Sequence, residues 1–274
     1  MESNIAVMDC DSIIYTAFHP KKVLDENNEP VRKDNKFVYE EKTEEEIIES
    51  CDDVMHMILT NCNATHYIAY VKGLHTIKHR VEVNPLYKAN RSSEPPKNWN
   101  LCKNYLIEKW GVIEAHNYEV DDYVNVTRLT LKDAFIVAID KDLLSLEAKD
   151  KMHYNWRKNE WIDVSKFVAE RIFWSDMIIG QKGDNLTGIP GKGEAYVKKL
   201  FNDVLIQSND HFSSKVFDDY FSHYGEEQGI KEFYKNYISL KILDKIDGFI
   251  PPTPIKYEKI GSEENKLKLN FYCD

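Results

Sequence analysis

The sequence lacks any apolar run long enough to cross a bilayer, and its opening residues, MESNIAVMDC, have neither the basic start nor the cleavage site of a secretion signal. A soluble, cytoplasmic protein with no membrane partner is the expectation. Cysteine is sparse: Cys10, Cys51, Cys62, Cys102 and Cys273 are odd in number, widely spaced and without a CxxC pair, which speaks against a disulfide framework or zinc ribbon and for reduced thiols. There is no low-complexity segment, no internal repeat and no GxxxxGK[ST] phosphate loop. Bases are outnumbered, 36 Lys and Arg against 46 Asp and Glu, for a net charge of -10. That balance argues against a nucleic-acid partner unless the bases are locally concentrated and many of the acids line a cation site, because binding follows the local field.

What is present suffices for a buried core: 42% of the 274 residues are hydrophobic, enough for one large domain or two modest ones. The chain is organised around residues 119–146, EVDDYVNVTRLTLKDAFIVAIDKDLLSL. This stretch opens on three carboxylates (Glu119, Asp121, Asp122), continues as a helical pattern, and becomes a short apolar strand, 134–139, followed by Asp140 and Asp142. In an open α/β sheet, ligands sit outside the carboxyl ends of the strands, so acids at a strand tip and acids opening the preceding helix can converge there. Clustered carboxylates repel one another unless cations lie between them, and oxygen ligands with no nearby His or Cys point to Mg2+ or Mn2+ rather than zinc. The simpler reading is an acidic helix N-terminus followed by an Asp that caps the next helix. Residues 4–8, NIAVM, repeat the arrangement, ending in Asp9 and Asp11 ahead of a helix in SIIYTAF, and capping accounts less well for a second such tip.

Residues 20–42 are charged, contain proline, and read as a surface loop or a hairpin around NNEP. Residues 43–60 open with the capping-box pair Thr43 and Glu46 and align Ile47, Ile48, Cys51, Val54, Met55, Ile58 and Leu59 along a helical face. A strand at 66–71 leads into KGLHTIKHRVEVNPLYKANR, which gathers Lys72, Lys78, Arg80, Lys88 and Arg91 with His75 and His79 against one acid, Glu82. In an acidic protein this is a local positive patch of the kind that engages phosphates, with Tyr87 as a face for a stacked base; the plainer reading is a solvated surface loop. After the breaker SSEPPKNW come an amphipathic helix at 99–110 ended by Gly111, a strand at 112–115, and an edge hairpin turning at 157–159. From Val164 the α/β alternation stops. A helix with an apolar stripe (Val168, Ile172, Met177) precedes GQKGDNLTGIPGKGEAYVKKLF, whose glycines and proline describe a hairpin able to grip a phosphodiester backbone through its amides without reading sequence. The remainder is mostly helix, notably 231–246, then a PPTP turn and a strand-like KLKLNFY.

Taken in order, VMDCD, NPLYKANR, EVDD, AIDKDL and GDNLTGIPGKG resemble the motifs of the 5′-nuclease superfamily of flap endonucleases and polymerase-associated 5′→3′ exonucleases, and look closest to the bacteriophage 5′→3′ exonucleases. The pieces span residues 5–201, and none lies in the last 70 residues. The resemblance implies an α/β catalytic domain over 1–163, with a mostly parallel central sheet and flanking helices, and a helical DNA-binding region over 164–274 with a helix-hairpin-helix whose carbonyls hold K+. It implies a metal-dependent 5′→3′ exonuclease or structure-specific 5′ flap endonuclease using two Mg2+ (or Mn2+). The substrate would be DNA with a 5′ end, flap, nick or gap, with RNA:DNA hybrids as further candidates. The products would be 5′-phosphorylated, and a phage-encoded enzyme would act in the host cytoplasm.

Carried over residue by residue, Asp9 is the first-strand metal ligand and Asp11 a neighbour acting through water. Glu119 and Asp121 are the paired acids with Asp122 beside them, Asp140 and Asp142 the pair at the next tip, and Asp184 the acid before the hairpin. Lys88 and Arg91 contact the scissile phosphate and Tyr87 stacks the terminal base. Gly188, Gly191, Lys192 and Gly193 form the DNA-gripping hairpin, and Lys198, Lys199 and Arg80 complete the DNA-binding set. Two positions depart from the pattern. Where many members carry an aspartate after the second strand, this chain has Lys72, Gly73 and Leu74, and where many carry one three residues before the acid in GDN, it has Gln181. These losses leave open a catalytically weakened DNA-binding member of the family. An RNA-directed nuclease of the related PIN type would not need GDNLTGIPGKG. Residues 20–42 and 92–98 are the candidate strand-threading loops.

Overall fold

The computed structural model describes residues 4–91, 94, 95, 97–201 and 209–259. β1 (Ile5–Asp9) is buried at every position, as suits a central parallel strand covered on both faces. α1 (Asp11–Ala17) follows, and the charged segment after it forms two small hairpins. β2 (Lys21–Lys22) pairs with β5 (Tyr39–Glu40) and β3 (Arg32–Lys33) with β4 (Lys36–Phe37), while Leu24 bridges Pro30 around the expected NNEP turn. α2 (Glu44–Asn61) starts at the capping box, where the Thr43 hydroxyl accepts from Glu46 N and the Glu46 carboxylate from Thr43 N. β6 (His66–Lys72), α3 (Lys78–Val81) and α4 (Trp99–Trp110) come next, α4 closing on Gly111 at φ 62°, a left-handed cap that favours glycine. β7 (Ile113–Ala115), α5 (Val120–Thr130), β8 (Ala134–Ala138) and α6 (Lys141–Leu144) complete the alternation, and β9 (His153–Asn155) and β10 (Glu160–Ile162) form the edge hairpin. α7 (Lys166–Ile179), α8 (Glu194–Phe201), α9 (Asn209–Tyr224) and α10 (Glu226–Leu240) follow, and β11 (Ile255–Lys256) returns to the sheet.

The sheet runs β10-β9-β8-β1-β6-β11, with β7 also on β6. β1, β6, β7, β8 and β9 are parallel; β10 and β11 are antiparallel to their neighbours. This is the mostly parallel sheet with flanking helices that the sequence predicts. One face packs Met8 and Val71 against Ile13, Met55 and Leu106 from α1, α2 and α4; the other packs Val7 and Ile136 against Val124 and Leu143 from α5 and α6. A separate core of Trp174, Met177, Phe212, Val216 and Tyr220 holds α7 and α9 together. No helix among the described residues is long and apolar enough to cross a membrane.

Two expectations need correction. The helix expected at 231–246 begins at Glu226 and stops at Leu240, because the following residues leave it to bond elsewhere: the Lys241 carbonyl accepts from Arg80, and Leu243 N donates to Asp122. On α7 the buried face is Trp174, Met177 and Ile178, whereas Val168 and Ile172, expected on the apolar stripe, are exposed. KLKLNFY and the strand expected there lie outside the described residues, as does part of 92–98.

Candidate active site

The fold gathers the acids as the sequence order predicts, at the carboxyl ends of β1 and β8. β1 delivers Asp9, which is 8% exposed and whose Oδ1 accepts from Asp11 N at 2.9 Å. Burial, then Asp11 and Asp140, pushes the Asp9 carboxyl well above the usual range. Asp121, in the first turn of α5, is pushed up by burial, then by Asp9, Asp140 and Glu119. Asp140 caps α6, its side chain accepting from Asp142 N at 2.8 Å, so the capping reading and the cluster reading are both true of it. Asp142 is pushed up to about 6 by burial and by Asp140. Carboxylates that lift one another in this way form an all-oxygen donor set of the chemistry that suits a hard divalent cation.

Against these acids lies the basic loop between β6 and α4. Lys88 Nζ is ion-paired with Glu119, and Arg91 with Asp184. Burial would raise the Glu119 carboxyl, but Arg80 and Lys88 outweigh it and hold the group low. Two of the expected ligands are thus paired with cations, and among the described residues no three His, Cys, Asp or Glu side chains come together in the geometry of a bound ion.

The structure separates other residues from the roles expected of them. Asp122 is fully buried. Its Oδ1 and Oδ2 accept from Arg80 at 2.9 Å each, and the carboxylate also takes bonds from Glu119 N at 3.1 Å and Leu243 N at 2.9 Å. With its lone pairs engaged it is a structural acid rather than a ligand. Arg80, expected at the DNA surface, is 2% exposed, pairs with Asp122 and Glu119, and caps the Lys241 carbonyl. Tyr87 is buried, its hydroxyl donating to Glu119 at 2.8 Å, with Asp184 at 3.3 Å, so its ring offers no open stacking face. Tyr15, one turn beyond Asp11 on the same face of α1, is exposed and stands edge-on to Trp99.

Both departures from the family pattern have a local cause. At Gly73 a Cβ would lie 2.4 Å from the Ala115 carbonyl oxygen and 2.6 Å from the His116 ring, so no side chain fits there. The strand tip is served instead by Asp11, whose Oδ1 accepts from Lys72 N at 2.9 Å. Gln181 donates its amide to Asp176 at 2.9 Å and lies 3.4 Å from Asp142. Sequence reasoning missed Asp176; the signal was an acid in the last turn of a helix, where the dipole disfavours it.

In the hairpin, Gly188 and Gly180 let two backbones meet: a Cβ on Gly188 would lie 2.0 Å from the Ile178 carbonyl oxygen. Gly191, at φ 79°, and Gly193 face open space. Lys192 is ion-paired with Asp219 of α9 at 2.6 Å, while Lys198 and Lys199 are exposed on α8.

The mostly parallel sheet, the acids at adjoining strand tips and the basic loop against them agree with the resemblance to the 5′-nuclease superfamily read from the sequence. No family model matches the chain. It is 28% identical over 234 residues to a 5′-3′ exonuclease of Mycoplasmopsis pulmonis, covering 78% of this chain and 74% of that protein. It is 29% identical over 190 residues to DNA polymerase I of Bacillus subtilis, covering 59% of this chain but only 21% of the polymerase. Among solved structures, bacteriophage T5 5′-exonuclease with zinc ions bound superposes with a TM-score of 0.58 at 14% identity, over 86% of this chain and 88% of that one. A bacteriophage T5 flap endonuclease in a pseudo-enzyme-product complex with DNA and metal ions gives 0.54 at 13% identity, over 86% and 89%. At these identities the structural likeness establishes the fold.

Proposed function

We propose that the chain is a divalent-metal-dependent 5′→3′ exonuclease or 5′ flap endonuclease that hydrolyses DNA to 5′-phosphorylated products. The observation that carries this is the set of mutually repelling carboxylates at the sheet tip, buried Asp9, half-buried Asp121 and exposed Asp140, with Lys88 facing Asp121. Asp9, Glu119 and Asp121 would hold one Mg2+ or Mn2+, with Asp11 acting through water, and Asp140, Asp142 and Asp184 a second. When bound, such ions lower the pKa of an attacking water and neutralise the departing oxygen. The chain's own contribution is electrostatic. A phosphodiester arriving at the tip competes with Glu119 for Lys88 and with Asp184 for Arg91, so the cations are exchanged from carboxylate to phosphate, where charge develops. Residues 1–163 supply the acids and the basic loop. Residues 164–274 supply Asp184 and the duplex grip through Gly191, Gly193, Lys198 and Lys199, with K+ on the hairpin carbonyls.

The substrate would be DNA with a free 5′ end, flap, nick or gap, RNA:DNA hybrids included, and the location the cytoplasm, of a host if the chain is phage-encoded. The alternative of a DNA-binding relic is not favoured, because the acids at both strand tips remain and Asp11 stands beside the position lost at Gly73. The test is a time course on 5′-labelled duplex and 5′ flap DNA in Mg2+ and in EDTA, with Asp140→Asn alongside. Metal-dependent release of short 5′-phosphorylated fragments that Asp140→Asn abolishes is expected. Binding without cleavage, even in Mn2+, would refute the reading.

A further inference from the structure

Three consecutive carbonyls ahead of the hairpin each accept a hydrogen bond from the basic loop: Lys182 from Asn90 Nδ2 at 3.1 Å, Gly183 from Arg91 Nε at 3.2 Å, and Asp184 from Lys88 N at 2.9 Å. A fourth bond runs the other way, from Asn185 Nδ2 to the Leu86 carbonyl at 2.8 Å. The two strings of residues, 86–91 and 182–185, are thus laced by one main-chain bond, from Lys88 N, and three bonds from side chains to main-chain carbonyls. Lys88 sits at φ 54° and Asn185 at φ 57°. Asparagine enters this left-handed region readily, whereas lysine does so only when its surroundings hold it there. The placement of Lys88, whose ammonium reaches Glu119, is therefore imposed by the seam. Asn90 and Asn185 are neutral and exposed, and their side-chain amides are spent on backbone carbonyls of the opposite string.

We propose that Asn90 and Asn185 are positioning residues that couple the hairpin to the catalytic loop, so that a duplex held by the hairpin carries Lys88 and Arg91 into register with the phosphate to be cut. This rests on the nuclease reading above and adds to it a link between grip and chemistry. A duplex bound with the seam intact meets Lys88 at a fixed distance. With the seam open, the same duplex is held as tightly but the cations wander by about an ångström, a misplacement on the order of a hundredfold in rate.

The test uses the full chain with Asn90→Ala, Asn185→Gly (which keeps the left-handed backbone), the double variant, and Asn90→Gln, which retains an amide donor. Single-turnover cleavage at saturating DNA should fall about tenfold for each single change and about a hundredfold for the double, with duplex Kd within about twofold and melting temperature unchanged, as expected for exposed amides. Asn90→Gln should recover most of the rate. Cleavage by the double variant at the wild-type rate would overturn the inference while leaving the nuclease reading intact, and so would a loss expressed wholly in Kd. A wild-type chain that does not cleave in Mg2+ or Mn2+ would overturn both, and the wild-type lane distinguishes the two failures.

Discussion

Truncating Arg80 separates two roles that the sequence cannot tell apart. As a member of a basic loop it would contact DNA; in the structure it is 2% exposed and spends its guanidinium on Asp122 at 2.9 Å twice, on Glu119 at 2.6 Å and on the Lys241 carbonyl at 2.9 Å. Arg80→Ala strands the fully buried Asp122 carboxylate with only the Glu119 and Leu243 amides, at 3.1 and 2.9 Å, as donors. Breaking a buried pair from one side costs about 3–5 kcal/mol, a large share of the roughly 5–15 kcal/mol that stabilises a folded domain. The pair also tethers residues 241–243 to α5, so the loss should appear as a lower urea midpoint rather than a local change. Arg80→Met with Asp122→Asn removes both charges and should recover more than half of the loss, since burying neutral groups of similar volume is often close to neutral. The assay is urea unfolding followed by tryptophan fluorescence and circular dichroism, with duplex affinity measured across a salt series on the same proteins. Were Arg80→Ala to melt like the wild type while its salt slope fell by about 0.9, the signature of one lost phosphate contact, the structural role would be refuted.

Further expectations concern the site and the core. Lys88→Ala should slow cleavage by on the order of a hundredfold, as for loss of one preorganised donor, while duplex Kd changes a few-fold at most; equal losses in both would make Lys88 a plain contact. Gly73→Asp, which places an acid where the resemblance leads one to expect it, should destabilise by about 1–3 kcal/mol and fail to raise activity, because its Cβ meets the Ala115 carbonyl at 2.4 Å; a more active, equally stable variant would contradict this. His153 is fully buried, its Nε2 is bonded to the Leu146 carbonyl and its Nδ1 has no partner among the described residues, and burial lowers its pKa to about 4. The native state therefore favours neutral imidazole: its contribution is complete above about pH 6.5 and is lost as the pH falls toward 4, by about 3 kcal/mol. His153→Gln should flatten that part of the stability profile, and an unchanged slope would assign it elsewhere.

Much of the fold was legible because local rules and tertiary packing agree. The Thr43–Glu46 capping box, the left-handed Gly111 stop and the apolar strand ending at Asp9 each carry their own physical signature, and each stands where the pattern puts it. The site was legible as a set of acids but not as individual roles. Glu119, Asp121 and Asp122 open one helix, yet successive helical positions point about 100° apart, so one turns to the strand tip while another meets Arg80. Nothing in the order of residues says which cation will reach which acid, because Arg80 and Asp122 are 42 positions apart. Tyr87 was misread for the same reason: an aromatic beside a lysine looks like a stacking surface until the ring is buried and the half-buried Glu119 carboxylate claims its hydroxyl. The helix expected to run to residue 246 ends early because bonds to Arg80 and Asp122 outcompete helical ones, which periodicity alone cannot detect.

β11 bears on how the chain is made. Ile255 and Lys256 pair with Tyr67 and His66, and Tyr257 tucks its hydroxyl against Thr60 at 2.9 Å. On the ribosome, β7 covers Tyr70 to Lys72 on the outer edge of β6 early, but the His66 and Tyr67 end of that edge waits some 190 positions for its partner, through the synthesis of the helices after β7. An unpaired strand margin is a template for joining another chain. The interval between translating β6 and translating β11 is therefore when this protein is most exposed to misassembly, and slowing elongation across the helical region should lower soluble yield without touching any residue of the finished molecule.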